Sequence, residues 1–201
     1  MEEEYRMVLV GVGGQGILTI SDIIAIAAQK KGLRVLGSEV HGMAQKGGSV
    51  VTNLKIGKNL HSPTIPVGCS KALIGLEENE TLRYMKYLEP GGLVITSKTV
   101  LYPVTWKKDK NAAVLAHEKI DENLSKFDAR IIRIDAEKLA SEAGLALAQN
   151  IVLLGALSQI EDFPLSVDEL RNALKTRVPS KHIETNVKAF ELGIEAMKKD
   201  N

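Results

Sequence analysis

Met7-Val-Leu-Val-Gly-Val-Gly-Gly-Gln-Gly16 passes from a short apolar stretch into a glycine-rich hexapeptide, and Ile17 to Ala28 follow as an almost wholly apolar run. That order predicts a strand, a glycine turn and a helix. A helix N-terminus leaves backbone N–H groups without intrahelical partners and carries a partial positive charge, so it attracts phosphate or carboxylate. Glycine takes the positive φ that a tight turn demands and lets a ligand or another chain come close. Gly11, Gly13 and Gly16 match the glycines of the dinucleotide fingerprint, and Gly14 is an extra one. Three readings stay open here. The turn holds a dinucleotide, or it only packs a helix on a strand, or it touches a partner subunit or a coenzyme held mainly by that partner. A dinucleotide site calls for an acid about 20 residues on, at the end of the second strand. Leu33–Ser38 is that strand, and Glu39 stands just beyond it, slightly late, where an unusual loop opens.

Outward from the turn, Met7–Gly11, Gly16–Lys31 and Leu33–Ser38 read as a βαβ unit, with parallel strands and a right-handed crossover. Gly32 sits where a left-handed residue ends a helix, after Lys30 and Lys31 at its negative end. The helix keeps only a narrow polar strip of Thr19, Asp22, Gln29 and Lys30, so it is expected to be covered on more than one side. Ser49–Ile56 is a strand with Val50, Thr52, Leu54 and Ile56 on one face, and Gly57–Asn59 a turn. Pro63 and Pro66 mark a non-helical stretch. Lys71–Leu76 is a short buried strand, and Glu77–Leu88 an amphipathic helix with acids in its first turn. Pro90-Gly91-Gly92 stops it before the strand Leu93–Ser97. Residues 98–111 are loop-like, with a β segment at Val100–Val104. A helix at Ala112–Leu124 and a strand at Arg130–Asp135 follow. The last third is helical: Ala136–Ala143, a strongly apolar Leu145–Gln159, a helix from the Ser166–Glu169 capping box to about Lys175, a break at Val178–His182, and Glu184–Lys198. The pattern predicts an α/β, three-layer, Rossmann-like fold. Its sheet is mainly parallel, Ser49–Ile56 is the candidate antiparallel strand, and residues 1–201 form a single domain.

Charge is nearly balanced, with 26 basic against 25 acidic side chains, which gives no global case for nucleic acid or membrane attraction. Cys69 stands alone, so no internal disulfide forms, and a reducing cytoplasm is the expected compartment. No apolar run reaches transmembrane length, and Met1–Glu4 is unlike a signal peptide. One cysteine cannot supply the thiolates of an iron–sulfur cluster. His41, His61, His117 and His182 are scattered and show no metal spacing. No Gly-x-Ser-x-Gly elbow or phosphate loop ending in Gly-Lys-Ser/Thr is present. Cys69 is read as a buried small apolar residue, and Trp106 beside Lys107 and Lys108 as a surface or interface anchor.

Chemistry concentrates in Glu39–Gly48. Glu39 can accept hydrogen bonds from a ribose or a thiazolium-type ring system, and His41 can donate to an anionic substrate or shuttle a proton near it. Gln45 donates and accepts. Lys46 before Gly47 and Gly48 puts an ammonium and backbone N–H groups around a phosphate or carboxylate. A solvated connection would need none of this. This loop, however, leaves the carboxyl end of a strand beside the glycine turn, where α/β proteins bind ligands.

Gly11–Gly16 followed by Ile-Leu-Thr resembles the glycine turn of the gamma subunits, or gamma domains, of 2-oxoacid:ferredoxin oxidoreductases. Ser38-Glu-Val-His-Gly-Met-Ala-Gln-Lys-Gly-Gly-Ser-Val50 looks like the version in the beta subunits of indolepyruvate ferredoxin oxidoreductases. Pyruvate-type relatives usually carry an arginine before the glycine pair and no His-Gly-Met. The resemblance spans about Met7 to Met197, including Glu184–Gly193 as the family's closing helix.

The resemblance implies a multi-subunit enzyme that oxidatively decarboxylates 2-oxo acids, here arylpyruvates. It forms an acyl-coenzyme A and passes electrons to ferredoxin. Thiamine diphosphate and iron–sulfur clusters would reside on the alpha subunit, with coenzyme A as cosubstrate. This chain, without cluster cysteines or a Gly-Asp-Gly motif, would be a non-catalytic, gamma-type beta subunit. It would bind no cofactor or metal alone, and no residue is assigned as catalytic. Its contribution to the coenzyme site would come from Gly13, Gly14, Gln15, Gly16, Glu39, His41, Gly42, Gln45, Lys46, Gly47 and Gly48. The rival readings are the gamma subunit of another 2-oxoacid:ferredoxin oxidoreductase, a free-standing NAD- or flavin-dependent oxidoreductase, and a nucleotide-sensing regulatory module.

Overall fold

The computed structural model describes residues 4–42, 47–101 and 118–199. Strand β1 (Tyr5–Val12) leads to α1 (Ile17–Lys30), β2 (Arg34–His41) and β3 (Ser49–Gly57). Then come β4 (Ser70–Gly75), α2 (Glu78–Tyr84), a 3-10 turn (Met85–Tyr87) and β5 (Leu88–Ser97). Residues 118–124 form α3, before β6 (Ala129–Ile134) and α4 (Ala136–Ala143). The chain closes with α5 (Gln149–Leu157), α6 (Val167–Arg177) and α7 (Ile183–Lys199).

The described strands make one sheet in the order β2-β3-β1-β4-β5-β6. The neighbours β1, β4, β5 and β6 are parallel. β3, the candidate antiparallel strand of the sequence, does run antiparallel, to both β1 and β2. One expectation is corrected. β1 and β2 do point the same way, but β3 is inserted between them, so they are not a directly paired βαβ unit. The connection from β2 to β3 spans only residues 42–48, which suits a hairpin and not the dozen or more residues of a parallel crossover. β3 therefore folds back on β2 and gains β1 on its other edge.

Two boundaries also move. Glu39 and His41 belong to β2, paired with Thr52 and Val50, instead of opening a loop. The helix expected over Glu77–Leu88 stops at Tyr84 and tightens into the 3-10 turn, because Leu88 already pairs with Ser70 in the sheet. Val100 and Leu101 carry no strand; the rest of the Val100–Val104 segment, the first part of Ala112–Leu124, Trp106 and His117 lie outside the described residues. Cys69 is only partly buried, packed at the rim of an apolar cluster and not within it.

Helices cover both faces of the sheet. Met7, Leu9, Leu54, Ile74 and Ile95 pack under α1 and α4–α7, while Val8, Val10, Leu73 and Val94 meet Met85, Leu88, Ile120 and Leu124 on the other face. α1 lies between β1–β3 and the pair α5 and α6, with Ile17, Ile20, Ile23, Ile24, Ala27 and Ala28 buried. Leu18 is the exception, 48% exposed. Gly32 takes φ +80°, and Ser166 and Glu169 make the expected capping box. No described helix is long and apolar enough to cross a membrane.

α5, buried at every residue from Asn150 to Leu157, meets α7 backbone to backbone. A Cβ on Gly155 would collide with the Phe190 carbonyl, and one on Gly193 with the Val152 carbonyl. Backbone cannot step aside as a flexible side chain can. Gly193→Ala is therefore expected to destabilise by about 1–3 kcal/mol or more, despite alanine's better helix propensity. Thermal melts check this; a variant as stable as the parent would show that the helices separate freely.

Candidate functional site

The chain leaves β1 toward β2 and β3 on one side and leaves β4 toward β5 on the other. The carboxyl ends of β1 and β4 thus flank a topological switch point, where open α/β sheets bind ligands. The glycine turn occupies that crevice. Gly14 and Gly16 have φ of 105° and 85°, conformations that side chains with a Cβ rarely adopt. Leu76 donates its N–H to Val10 O (2.9 Å), which joins the two strand ends. Gln15 reinforces the join. Its Oε1 accepts the Val12 N–H (2.7 Å) and its Nε2 donates to Leu76 O (3.0 Å).

Gly16 caps α1. Its carbonyl accepts Thr19 N–H (3.1 Å) and the Asn150 side-chain amide (3.0 Å). A Cβ at Gly16 would strike that amide, so the position needs both the positive φ and the space. The amides of Gly14, Gly16, Ile17 and Leu18 have no backbone acceptor among the described residues. They border a shallow, mostly apolar concavity of about 230 Å³ whose lining includes Val12, Gly14, Gly16, Ile17, Leu18 and Val50. An anionic group with an apolar neighbour would fit such a surface.

The β2–β3 connection docks on this turn. Gly13 donates to Gly48 O (2.8 Å), and Gly47 donates to Gly13 O (3.3 Å). Gly47 has φ +78°, and Gly42 donates to Ser49 O (2.8 Å). Of the sequence-predicted residues, Gly13, Gly14, Gln15, Gly16, Gly47 and Gly48 are thus brought together. Glu39 and His41 lie further along the sheet edge and face each other, with Nε2 to Oε1 at 2.5 Å. Gln45 and Lys46 fall outside the described residues. The inserted β3 sets Glu39 two strands from β1, roughly 10 Å away at ordinary strand spacing. In a dinucleotide site the ribose acid stands one strand away, so this geometry disfavours the free-standing NAD or flavin reading.

Residues 6–196 match the family model described as pyruvate ferredoxin/flavodoxin oxidoreductase. The chain belongs to that family. It is 39% identical over 200 residues to the indolepyruvate oxidoreductase subunit IorB of Thermococcus kodakarensis, covering 98% of this chain and 97% of that protein. The IorB subunit of Pyrococcus horikoshii is 40% identical over 197 residues, with the same coverage. The gamma subunit of a keto/oxoacid ferredoxin oxidoreductase from Geobacter sulfurreducens has the same fold, with a TM-score of 0.73 at 24% identity over 97% of this chain and 99% of that one.

In this member of the pyruvate ferredoxin/flavodoxin oxidoreductase family, the sequence reading missed the residues that brace the crevice. Asn150, 5% exposed, was hidden in the apolar run over Leu145–Gln159, and the Gln149-Asn150 amide pair interrupting that run is its only signal. The first turn of α2 is buried although it is acidic: Glu77, Glu78 and Glu80 are all nearly inaccessible. Glu77 accepts the N–H groups of Glu80 (2.7 Å) and Leu101 (2.9 Å) and the Asn79 amide (3.0 Å). Burial pushes its carboxyl above the usual carboxylate range, and those donors oppose the shift. Glu78 accepts Arg133 Nε (2.6 Å), and this bond holds the guanidinium above its ordinary range. Among the described residues no group of three His, Cys, Asp or Glu could hold a metal ion.

Proposed function

We propose that the chain acts, across residues 1–201 as a single gamma-type domain, as the beta subunit of an indolepyruvate ferredoxin oxidoreductase. It completes that enzyme without performing chemistry alone. The docking of Gly47 and Gly48 on Gly13 carries the reading, because the closing glycines of the segment most like the indolepyruvate enzymes then meet the glycine turn at the switch point. The 39% and 40% identity to two IorB subunits, over nearly the full length of each chain, supports it. In this reading the alpha subunit holds thiamine diphosphate and the iron–sulfur clusters, coenzyme A enters as cosubstrate, ferredoxin takes the electrons, and the complex works in the cytoplasm. The single cysteine of this chain does not fit a cluster. Thiamine diphosphate supplies the carbanion chemistry of decarboxylation.

The proposed contribution of this chain is one wall of the coenzyme entrance. The Gly14 and Gly16 backbone offers N–H groups, while Gly13, Gly42, Gly47 and Gly48 shape the wall, the N–H groups of the first three being spent on Gly48, Ser49 and Gly13. Gln15 shapes the turn, since both ends of its amide serve the backbone. Lys46, Gln45, His41 and Glu39 add polar groups, the Lys46 charge suiting a coenzyme A phosphate or the substrate carboxylate. Losing one charge-assisted contact costs about 1.5–3 kcal/mol, roughly one to two decades in affinity. Lys46→Ala is therefore expected to raise the apparent KM for coenzyme A or the arylpyruvate, with fold and assembly intact. His41→Ala probes the same loop without removing a permanent charge. Unchanged kinetics for both ligands in both variants would reduce the loop to an assembly element.

A further inference from the structure

Ser49 opens β3, one residue after the Gly47–Gly48 pair. Its neighbours Val50, Leu54 and Ile56 face α1, so by strand alternation Ser49 faces the opposite side of the sheet, where α2 lies. Ser49 Oγ donates to Glu80 Oε2 at 2.5 Å, and Tyr84 OH stands 3.4 Å from the same hydroxyl. Glu80 is only 6% exposed, its N–H is held by Glu77, and its other carboxylate oxygen meets Arg83 at 3.4 Å. The hydroxyl therefore ends on a carboxylate that cannot move without disturbing the buried turn of α2. Directly across the ladder, Ser49 pairs with Val12, the residue before Gly13.

We infer that Ser49 and Glu80 are positioning residues for the crevice: their bond sets where the Gly47–Gly48 backbone stands over the glycine turn. The inference rests on the proposed role of that loop. A hydroxyl–carboxylate bond is short and directional, and roughly twice as strong as a neutral one. Backbone bonds hold this strand end within the sheet, to β1 and, through the Gly42 N–H, to the end of β2, but leave its approach to α2 unset. The tie to α2 holds it from the other face, so Gly13 keeps its bonds to Gly48 O and from Gly47 N–H and the turn keeps one direction. Neither Ser49 nor Glu80 touches the concavity. They act through the loop, and the expected signature is weaker ligand binding with little change in turnover.

The test uses the assembled oxidoreductase carrying Ser49→Ala, Ser49→Thr or Glu80→Gln, with amide hydrogen exchange measured on the full chain. Ser49→Ala is expected to raise the apparent KM for coenzyme A or the arylpyruvate about tenfold, to leave kcat within about twofold, and to speed exchange at the Gly13 and Gly47 amides about tenfold. Ser49→Thr keeps the hydroxyl and restores both. Glu80→Gln keeps an acceptor oxygen without the charge and shifts both by less. Parental KM in Ser49→Ala overturns the inference, whether or not exchange accelerates, since a tie that only packs a loop moves protection alone. Failure of the functional reading looks different. Lys46→Ala and His41→Ala would then leave KM unchanged too, whereas failure of this inference alone leaves their effects standing.

Discussion

Ile24→Asp is expected to yield no folded subunit able to assemble. Ile24 is completely buried in α1, between the sheet and the helices α5 and α6. Its removal forfeits about 1.5–3 kcal/mol of apolar burial. The incoming carboxylate adds several kcal/mol for an unpaired buried charge, or must take up a proton to avoid it. The polar groups of this helix lie on its outer strip, where Asp22 already pairs with Arg177 at 2.8 Å. Together these losses rival the whole stability of an ordinary domain, about 5–15 kcal/mol. Ile24→Val, which removes one methyl group, costs only about 0.5–1.5 kcal/mol and serves as the control. Soluble yield, thermal melting and co-purification with the larger subunit report the outcome. A soluble Ile24→Asp chain that melts near the parent temperature and still assembles would mean that α1 is solvated on this face.

The features legible in the sequence are those decided by nearby residues. The glycine turn, the αL residue Gly32 and the Ser166 capping box depend on backbone needs within a few positions. Strand β3 showed as an alternation of apolar residues, and the burial of α5 as an apolar run without a polar face. What the sequence hid depends on partners far along the chain. The insertion of β3 between β1 and β2 reflects the hairpin chemistry of residues 42–48 and the competition for the edge of β1, which alternation alone cannot rank. It also moved Glu39 out of the place a dinucleotide fingerprint assigns to it. Acids in the first turn of α2 read as ordinary partners of the helix dipole. Their burial is matched by Arg133, Leu101 and Ser49, which lie 24 to 55 residues away along the chain. Gln15 was legible as a polar residue in a turn, but its use as a strap between β1 and β4 required Leu76 to be placed beside it.

The same division applies to the site. The glycines at 13, 14, 16, 47 and 48 announced themselves because their backbone has to bend and pack closely. The braces that make the crevice rigid, Asn150 on Gly16 and Glu80 on Ser49, are side-chain contacts across 134 and 31 positions. Local pattern carries no trace of them. Rigid support of this kind matters more to a binding wall than extra polar groups do, since a loosely held N–H loses affinity to its own ordering cost.

The purified chain is expected to be colourless and to leave indolepyruvate unoxidised, whereas adding the alpha subunit should give coenzyme A-dependent reduction of ferredoxin or a viologen dye. This is the largest effect, from no turnover to full turnover, and it follows from the side chains available. An iron–sulfur cluster needs several thiolates, and Cys69 is the only cysteine. Among the described residues no three His, Cys, Asp or Glu converge on a metal position. The glycine turn can bind and orient an anion through its N–H groups, but these neither accept electrons nor stabilise a carbanion. Visible absorbance of the isolated chain, turnover with each subunit alone, and turnover after mixing form one experiment. Oxidation by this chain alone would refute the subunit role outright. Activity of the alpha subunit alone, unchanged on mixing, would leave the crevice without a part in the reaction. Activity that appears only on mixing, and then weakens in Lys46→Ala with assembly preserved, would tie the loop on Gly13 to ligand binding.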